Sequence, residues 1–423
     1  MIRRIAKCSL VLAGIGLCAP GWAQQAWTWE KVRERFQLNN PTLLAGKLNI
    51  EESKAEEITA YLRPNPTFTL TADGTQIAPD KSVWKPFAGT FESPSISYLH
   101  ERRHKRELRL ESAKKATLIS EFTHSDLERT LLFNLRNAFV STLGAQAVLQ
   151  LAKDNLAYYD HVLDVSRTRF NAGDIAQIDL DRLELQRVQY ESDAQTAEVN
   201  LRTAKIQLLT LLNDRTPIEQ FDVTGLYDFN DQLAARDEFL KIALDARPDL
   251  KAAVEAADKA KTDHRLAVAN GSTDPTFGAW YTHNSSNNNP FGINTLGASL
   301  SIPLRIFDRN QGEKLRTQLD ITRNEKLREA EEALVLNDVN SGYATLNSTL
   351  ILLRPYKAKY LQQSVRVRDT VFFSYQHGGA SLLDFLNAQA EYRTVQLSYT
   401  NLVGSYLRAA AQLNMAVGRE VIP

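Results

Sequence analysis

The chain repeats itself, and this constrains its fold more than any other feature. The stretch from Arg169 to Leu180 (RFNAGDIAQIDL) has a counterpart from Ser374 to Phe385 (SYQHGGASLLDF). Gly173 pairs with Gly378, Asp179 with Asp384 and Phe170 with Tyr375, each 205 residues apart. A hydrophobic register continues from there. Leu180, Leu183, Tyr190, Ala194, Ala197, Leu201, Ala204, Leu208 and Leu211 follow a spacing of three and four, interrupted by Arg187. The same offset gives Phe385, Ala388, Val395, Tyr399, Leu402, Tyr406, Ala409, Leu413 and Ala416, with Tyr392 opposite Arg187. Two helices that share one heptad-like seam imply two copies of one structural unit.

Upstream segments repeat as well. Asn40-Pro41-Thr42-Leu43 parallels Arg247-Pro248-Asp249-Leu250, each opening a helical run. The runs end at Asn65-Pro66-Thr67-Phe68 and Asp274-Pro275-Thr276-Phe277, where proline stops a helix and extended backbone begins. Each copy therefore reads helix, strand, loop, strand, long helix, turn, helix, a mainly α chain with a small β part. Strands are expected at 67–72, 95–99, 276–281 and 296–304, with turn-rich loops between them such as the polar run 284–290. Four strands cannot close a barrel alone, so a barrel requires several chains. The proline-free stretch 102–170 would make a helix of roughly 100 Å, and helices over 41–63 and 174–213 would together span roughly 95 Å beside it. The second copy repeats this plan over 311–376, with a kink expected at Pro355. The expected division is a first repeat over 24–215, a connecting segment over 216–236 and a second repeat over 237–423.

Composition narrows the functional classes. Fifty Lys and Arg balance fifty Asp and Glu, so no electrostatic case arises for nucleic acid. Residues 1–23 read as a secretory signal peptide: Arg3, Arg4 and Lys7, an apolar run from Ser9 to Cys18, then Pro20-Gly21 and a small-residue site ending at Ala23. The mature chain should begin near Gln24. Cys8 and Cys18, the only cysteines, fall inside that leader. The mature chain then has no disulfide, thiolate nucleophile or cysteine metal site. Cys18 follows Leu17 where a lipoprotein signal needs a small residue, and is read as unlipidated. No later apolar run is long enough for a transmembrane helix, so any membrane crossing must be a closed barrel.

These features resemble the TolC family of outer-membrane efflux proteins over essentially the whole mature chain. The most specific sign is an aromatic-to-glycine turn followed by an Ile-Asp or Leu-Asp pair. It stands here as Phe170-Asn171-Ala172-Gly173 with Ile178-Asp179, and as Tyr375-Gln376-His377-Gly378 with Leu383-Asp384. The short length and the RPNPTF entry from Arg63 to Phe68 look closest to the heavy-metal branch containing CzcC. The resemblance implies a homotrimer whose twelve strands form an outer-membrane barrel continued by a periplasmic helical tunnel. It implies no cofactor, and partners in outer-membrane lipid, a periplasmic adaptor and an inner-membrane pump such as an RND transporter. Tips at Ala172, Gly173 and Asp174 and at Gly378, Gly379 and Ala380 would meet the adaptor. Glycine there permits a sharp reversal whatever else the tip does. Asp384 would line the periplasmic gate as a threefold acidic ring, and Tyr375 with Asp179 would form an inter-helix hydrogen bond that holds the gate closed. Two departures stand out. Asn387 occupies the place of a second acid, and Ala380 that of an arginine, which weakens both the ring and the latch.

Other readings compete. His100-Glu101-Arg102-Arg103-His104 matches the HExxH zinc-protease pattern literally. It sits at a strand-to-helix junction, however, within a basic run (Arg102, Arg103, Lys105, Arg106) that repels a cation. Glu121, the conceivable third ligand, lies roughly 25 Å along a helix. Basic side chains here fit the membrane boundary better, where they can meet lipid phosphate. No phosphate loop or nucleophile elbow appears, and Met415 alone after the leader cannot form a methionine relay for copper. A periplasmic coiled-coil scaffold or adaptor without a pore would explain the heptads, but has no need of four strands.

Overall fold

A computed structural model describes residues 26–87, 89–284 and 293–422. The leader and nearly all of the polar run 284–290 lie outside the described residues. The first copy comprises α1 (Trp29–Asn39), α2 (Pro41–Tyr61), β1 (Thr67–Asp73), β2 (Phe91–Leu99), α3 (Lys105–Asn171) and α4 (Gln177–Leu211). The second comprises α5 (Arg236–Ala246), α6 (Pro248–Asn270), β3 (Thr276–Asn284), β4 (Asn294–Ser301), α7 (Gln311–Pro355), α8 (Leu361–Gln376) and α9 (Leu382–Val417).

Short helices α1 and α5 precede the proline-opened helices, an addition to the expected order. Proline at the first helical position forces its predecessor out of helical backbone. Asn40 (φ −70°, ψ 116°) and Arg247 (φ −63°, ψ 123°) therefore break the chain into two helices each time. Asn40 then caps α2, accepting from the Leu43 N–H at 3.0 Å while its amide donates to the Leu211 carbonyl at 3.2 Å. Arg247 is 2% exposed and caps nothing with its side chain. Its guanidinium bonds Asp249, Asp338 (2.8 Å) and the Ala416 carbonyl (3.3 Å). Arg129 from α3 reaches the same Asp249 at 3.0 Å and the Met415 carbonyl at 2.6 Å. This network fastens the end of α9 to both copies.

Helix α3 runs 67 residues without interruption, about 100 Å. Helices α2 and α4 pack along it, with 21 and 35 residues, which gives about 85 Å together. The shortfall from expectation lies at their ends: Leu62 is already extended ahead of Pro64, and α4 begins only at Gln177. In the second copy Pro355 has no N–H to continue the ladder. The chain makes one π-helical turn (Tyr356–Tyr360) before α8 resumes. The expected seam is buried at Leu180, Leu183, Tyr190, Ala197, Ala204 and Leu208, and at Phe385, Ala388, Tyr406, Ala409, Leu413 and Ala416.

The strands form one antiparallel sheet in the order β1-β2-β3-β4. β2 begins at Phe91, earlier than expected, and β4 ends at Ser301, before the expected 304. Pairings Phe68↔Ile96, Leu70↔Pro94, Tyr98↔Phe277, Ala279↔Ala298, Tyr281↔Leu296 and Phe277↔Leu300 put apolar residues on one face. Pairings Thr67↔Ser97, Thr69↔Ser95, Thr71↔Ser93, Thr282↔Thr295 and Thr276↔Ser301 put hydroxyls on the other. The apolar face is bare: Leu296 is 84% exposed and Phe68 69%. Trp280 breaks the hydroxyl face, lying across its partner Gly297, where any Cβ would collide with the indole ring. Among the described residues, the outer edges of β1 and β4 pair with nothing.

Candidate functional site at the helix tips

Both helix reversals use the same hydrogen bonds. After α3, the Asp174 N–H donates to the Arg169 carbonyl (2.9 Å) and the Gly173 N–H to the Phe170 carbonyl (2.9 Å). After α8, Gly379 donates to Ser374 (2.8 Å) and Gly378 to Tyr375 (3.2 Å). This is the Schellman arrangement, which requires left-handed backbone at the residue after the cap. Gly173 (φ 83°) and Gly378 (φ 77°) supply it. A Cβ on either glycine would touch nothing within 4 Å, so backbone conformation and not space demands glycine. Ala172, Gly173 and Asp174 are exposed, as are Gly378 and Gly379, whereas Ala380 is half-buried against the aromatic cluster beneath.

The copies diverge at the next helix start. Ser381 caps α9, its Oγ accepting from the Asp384 N–H at 3.1 Å. The Asp384 carboxylate in turn accepts from the Ser381 N–H (3.1 Å) and hydroxyl (2.7 Å). This reciprocal box satisfies helix-end donors, and the Ser381 hydroxyl bond, then its backbone bond, hold Asp384 below its ordinary carboxylate range. Asp384 and Asn387 are both exposed and lie three residues apart on one face. Position 176, opposite Ser381 in the repeat, is alanine, so α4 begins without a side-chain cap. Asp179, the counterpart of Asp384, is half-buried instead.

The expected Tyr375–Asp179 hydrogen bond is not formed. The Tyr375 hydroxyl is buried without a hydrogen-bond partner among the described residues, because the ring is held flat against Phe385 (centroids 5.5 Å apart, 14° between planes). Burial pushes the Tyr375 phenol up, and the Asp179 charge adds to this against the opposing effect of Arg169. Arginines make the ties between copies here. Arg169 of α3 donates to the Tyr375 carbonyl at 3.1 Å and lies over its ring. Arg368 of α8 sits between Tyr158 of α3 and Tyr392 of α9, 4.6 and 4.1 Å from the ring centroids. Arg393 of α9 pairs with Asp193 of α4 at 2.8 Å. Sequence reasoning missed all three. Their one visible signal was the aromatic content of the seam, Tyr190 and Tyr392, beside cations it did not assign.

At the far end of α3, the HExxH residues do not make a zinc site. His100 follows β2, while Arg103 and His104 take left-handed backbone (φ 60° and 57°), and α3 starts only at Lys105. The histidines thus lie on no common helix face, and Glu121 lies in the body of α3. Glu101, the glutamate of the pattern, is clamped by Arg109 at 2.5 and 2.8 Å. Lys105 is buried on Asp274 at 2.5 Å.

A sequence profile described as "Outer membrane efflux protein" matches residues 32–214 and 239–419. The pyoverdine export outer membrane protein OpmQ of Pseudomonas aeruginosa is 24% identical over 411 residues, covering 92% of this chain and 84% of its own. The cobalt-zinc-cadmium resistance protein CzcC of Cupriavidus metallidurans is 21% identical over 389 residues, covering 90% and 87%. Among solved structures, CusC superposes with a TM-score of 0.77 at 16% identity, over 92% of each chain. At that identity the likeness is one of fold.

Proposed function

The chain belongs to the outer membrane efflux protein family, and from that premise we propose that it is the outer-membrane channel of a tripartite efflux system, a passive duct for small solutes such as metal ions or drugs. The observation that carries this reading is the sheet. One face is apolar and bare, the other is lined with hydroxyls, and both edges are unpaired among the described residues. Lipid tolerates no open strand edge, so copies of the chain must close the barrel together. Three copies give twelve strands, apolar outward and hydroxylated inward. A periplasmic scaffold has no use for such a sheet.

The helices then continue the duct through the periplasm, and energy for export comes from an inner-membrane pump of the RND kind, joined through a periplasmic adaptor. The exposed turns at Ala172, Gly173 and Asp174 and at Gly378 and Gly379 are the adaptor contacts, with Ala380 behind them. Asp384 and Asn387 line the gate, and three Asp384 carboxylates attract cations there. Tyr375 and Asp179 belong to the same gate, where Arg169 bonds the Tyr375 carbonyl and no bond joins Tyr375 to Asp179.

The test is the native mass of protein extracted in detergent from purified outer membranes, followed by conductance in planar bilayers. A conducting trimer is expected. A soluble monomer or dimer from the periplasm would overturn the reading and restore the scaffold. Asp384→Asn, which keeps an acceptor oxygen for Ser381, should lower the preference for cations over anions. An unchanged reversal potential would remove Asp384 from the gate.

A further inference from the structure

A cavity of about 290 Å³ opens where β2 leaves the sheet, lined by Arg63, Tyr98, His100, Arg103, His104 and Arg106 among others. Tyr98 is the last residue of β2 on the apolar face, paired with Phe277, and His100 follows with the same alternation. The cavity therefore begins where that face ends, on its lipid side. Its charges are unevenly matched. Glu101 is taken by Arg109, Lys105 by Asp274 and Arg106 by Glu107. Arg63 and Arg103 are exposed and have no ion-pair or hydrogen-bond partner among the described residues. Two unpaired guanidiniums thus stand beside an apolar surface, in one cavity with Tyr98.

The second copy makes the same corner differently. Leu99 and Ser301 both pair at the level of Thr276, so β2 and β4 leave the sheet together. After Ser301 the chain exposes Leu304, Ile306 and Phe307 (79%, 61% and 90%). That corner sets Arg305 among exposed apolar residues, whereas the first gathers Arg63 and Arg103 in one cavity.

We propose that the cavity binds the phosphodiester headgroup of an anionic phospholipid, with Arg63 and Arg103 as its phosphate ligands. This rests on the outer-membrane reading above. Arginine forks match phosphate oxygens, and acyl chains continue from the headgroup along the adjoining apolar face. Lipid is favoured over free phosphate by that continuity, since a soluble anion gains nothing from the face.

The experiment uses the full chain purified in mild detergent, with dioctanoyl phosphatidylglycerol, dioctanoyl phosphatidylcholine and inorganic phosphate as probes, read by native mass spectrometry. Saturable binding of phosphatidylglycerol, one per chain, is expected, with phosphatidylcholine and inorganic phosphate both weaker. The double variant Arg63→Gln/Arg103→Gln should bind phosphatidylglycerol about thirtyfold more weakly, from the contribution of two cations near a membrane surface. Unchanged binding in that variant would overturn the site, and inorganic phosphate binding as tightly as the lipid would make it a soluble-anion site instead. A second readout needs no variant: phosphatidylglycerol should protect Arg103 from phenylglyoxal in the wild-type protein, and absence of protection would count against the proposal. The same spectra report the assembly, so a trimer that binds no lipid sinks this inference alone, while a missing trimer sinks the channel reading.

Discussion

The two copies share a backbone plan but spend their side chains differently. Both reverse at a glycine with the same two hydrogen bonds, and both enter their long helices through a left-handed residue, His104 (φ 57°) and Asn310 (φ 60°). Yet α3 is continuous where α7 and α8 are parted by Pro355 and a π turn, and α9 has a capping box where α4 has none. The proline-opened helix is capped by Asn40 in one copy and anchored by a buried arginine in the other. The glycine turns are shared because another residue there would strain the left-handed backbone, whereas the capping and anchoring of the helices between them differ.

The sharpest way to break this comparison is at its proline-opened helices. Arg247→Ala removes a buried guanidinium, leaves the half-exposed Asp338 without its ion-pair partner and leaves Asp249 with Arg129 alone, and should cost roughly 3 kcal/mol, whereas Asn40→Ala should cost about 1 kcal/mol. Denaturant unfolding of both variants measures the gap, and equal losses would mean that the arginine network is no more than a cap. The sheet should show the opposite, two copies behaving alike. Leu70→Arg and Leu296→Arg each put a cation on the lipid face and should each cost about 2–4 kcal/mol if near the bilayer midplane, seen as lost trimer in the outer membrane. Thr295→Arg, on the hydroxyl face, should still assemble.

Smaller effects separate the tips. Ser381→Ala should destabilise the start of α9 by about 1 kcal/mol, read as faster amide exchange, and Ala176→Ser should slow exchange at the start of α4. The pH dependence has a definite sign. The folded pKa of Asp384 is lowered, so its contribution is complete above the ordinary value of 3.8 and is lost as pH falls through the lowered one. Exchange protection at Ser381 and Asp384, corrected for the intrinsic rate, should hold from pH 8 to 5 and fail only in stronger acid. Failure near neutrality would show that something other than this carboxylate caps the helix.

Much of the fold was legible because its signals are local or periodic. The offset of 205 residues, the glycine turns and the proline stops are each readable within a dozen residues. The short helices α1 and α5 were not, since Asn40-Pro41 and Arg247-Pro248 read equally well as the first start of a helix and as a break within one. The two faces of the sheet became visible only with the pairing register, which set Leu296 against Tyr281 and Thr295 against Thr282. At the tips the limits were greater. Position identified Tyr375, but whether its hydroxyl meets Asp179 depends on how its ring packs against Phe385. The arginine ties were out of reach for a similar reason: Arg368 meets Tyr158 across 210 residues, and no periodicity links a cation to a distant ring.

The unpaired edges of β1 and β4 also bear on how mixed populations of this protein behave. Under the proposed assembly each chain holds one third of the wall, so no copy can be repaired by its neighbours. A cell making intact chains and lipid-face variants in equal amounts would complete about one barrel in eight if subunits mix at random. Defects in this sheet should therefore be genetically dominant, whereas a weakened tip in one subunit leaves two others in place.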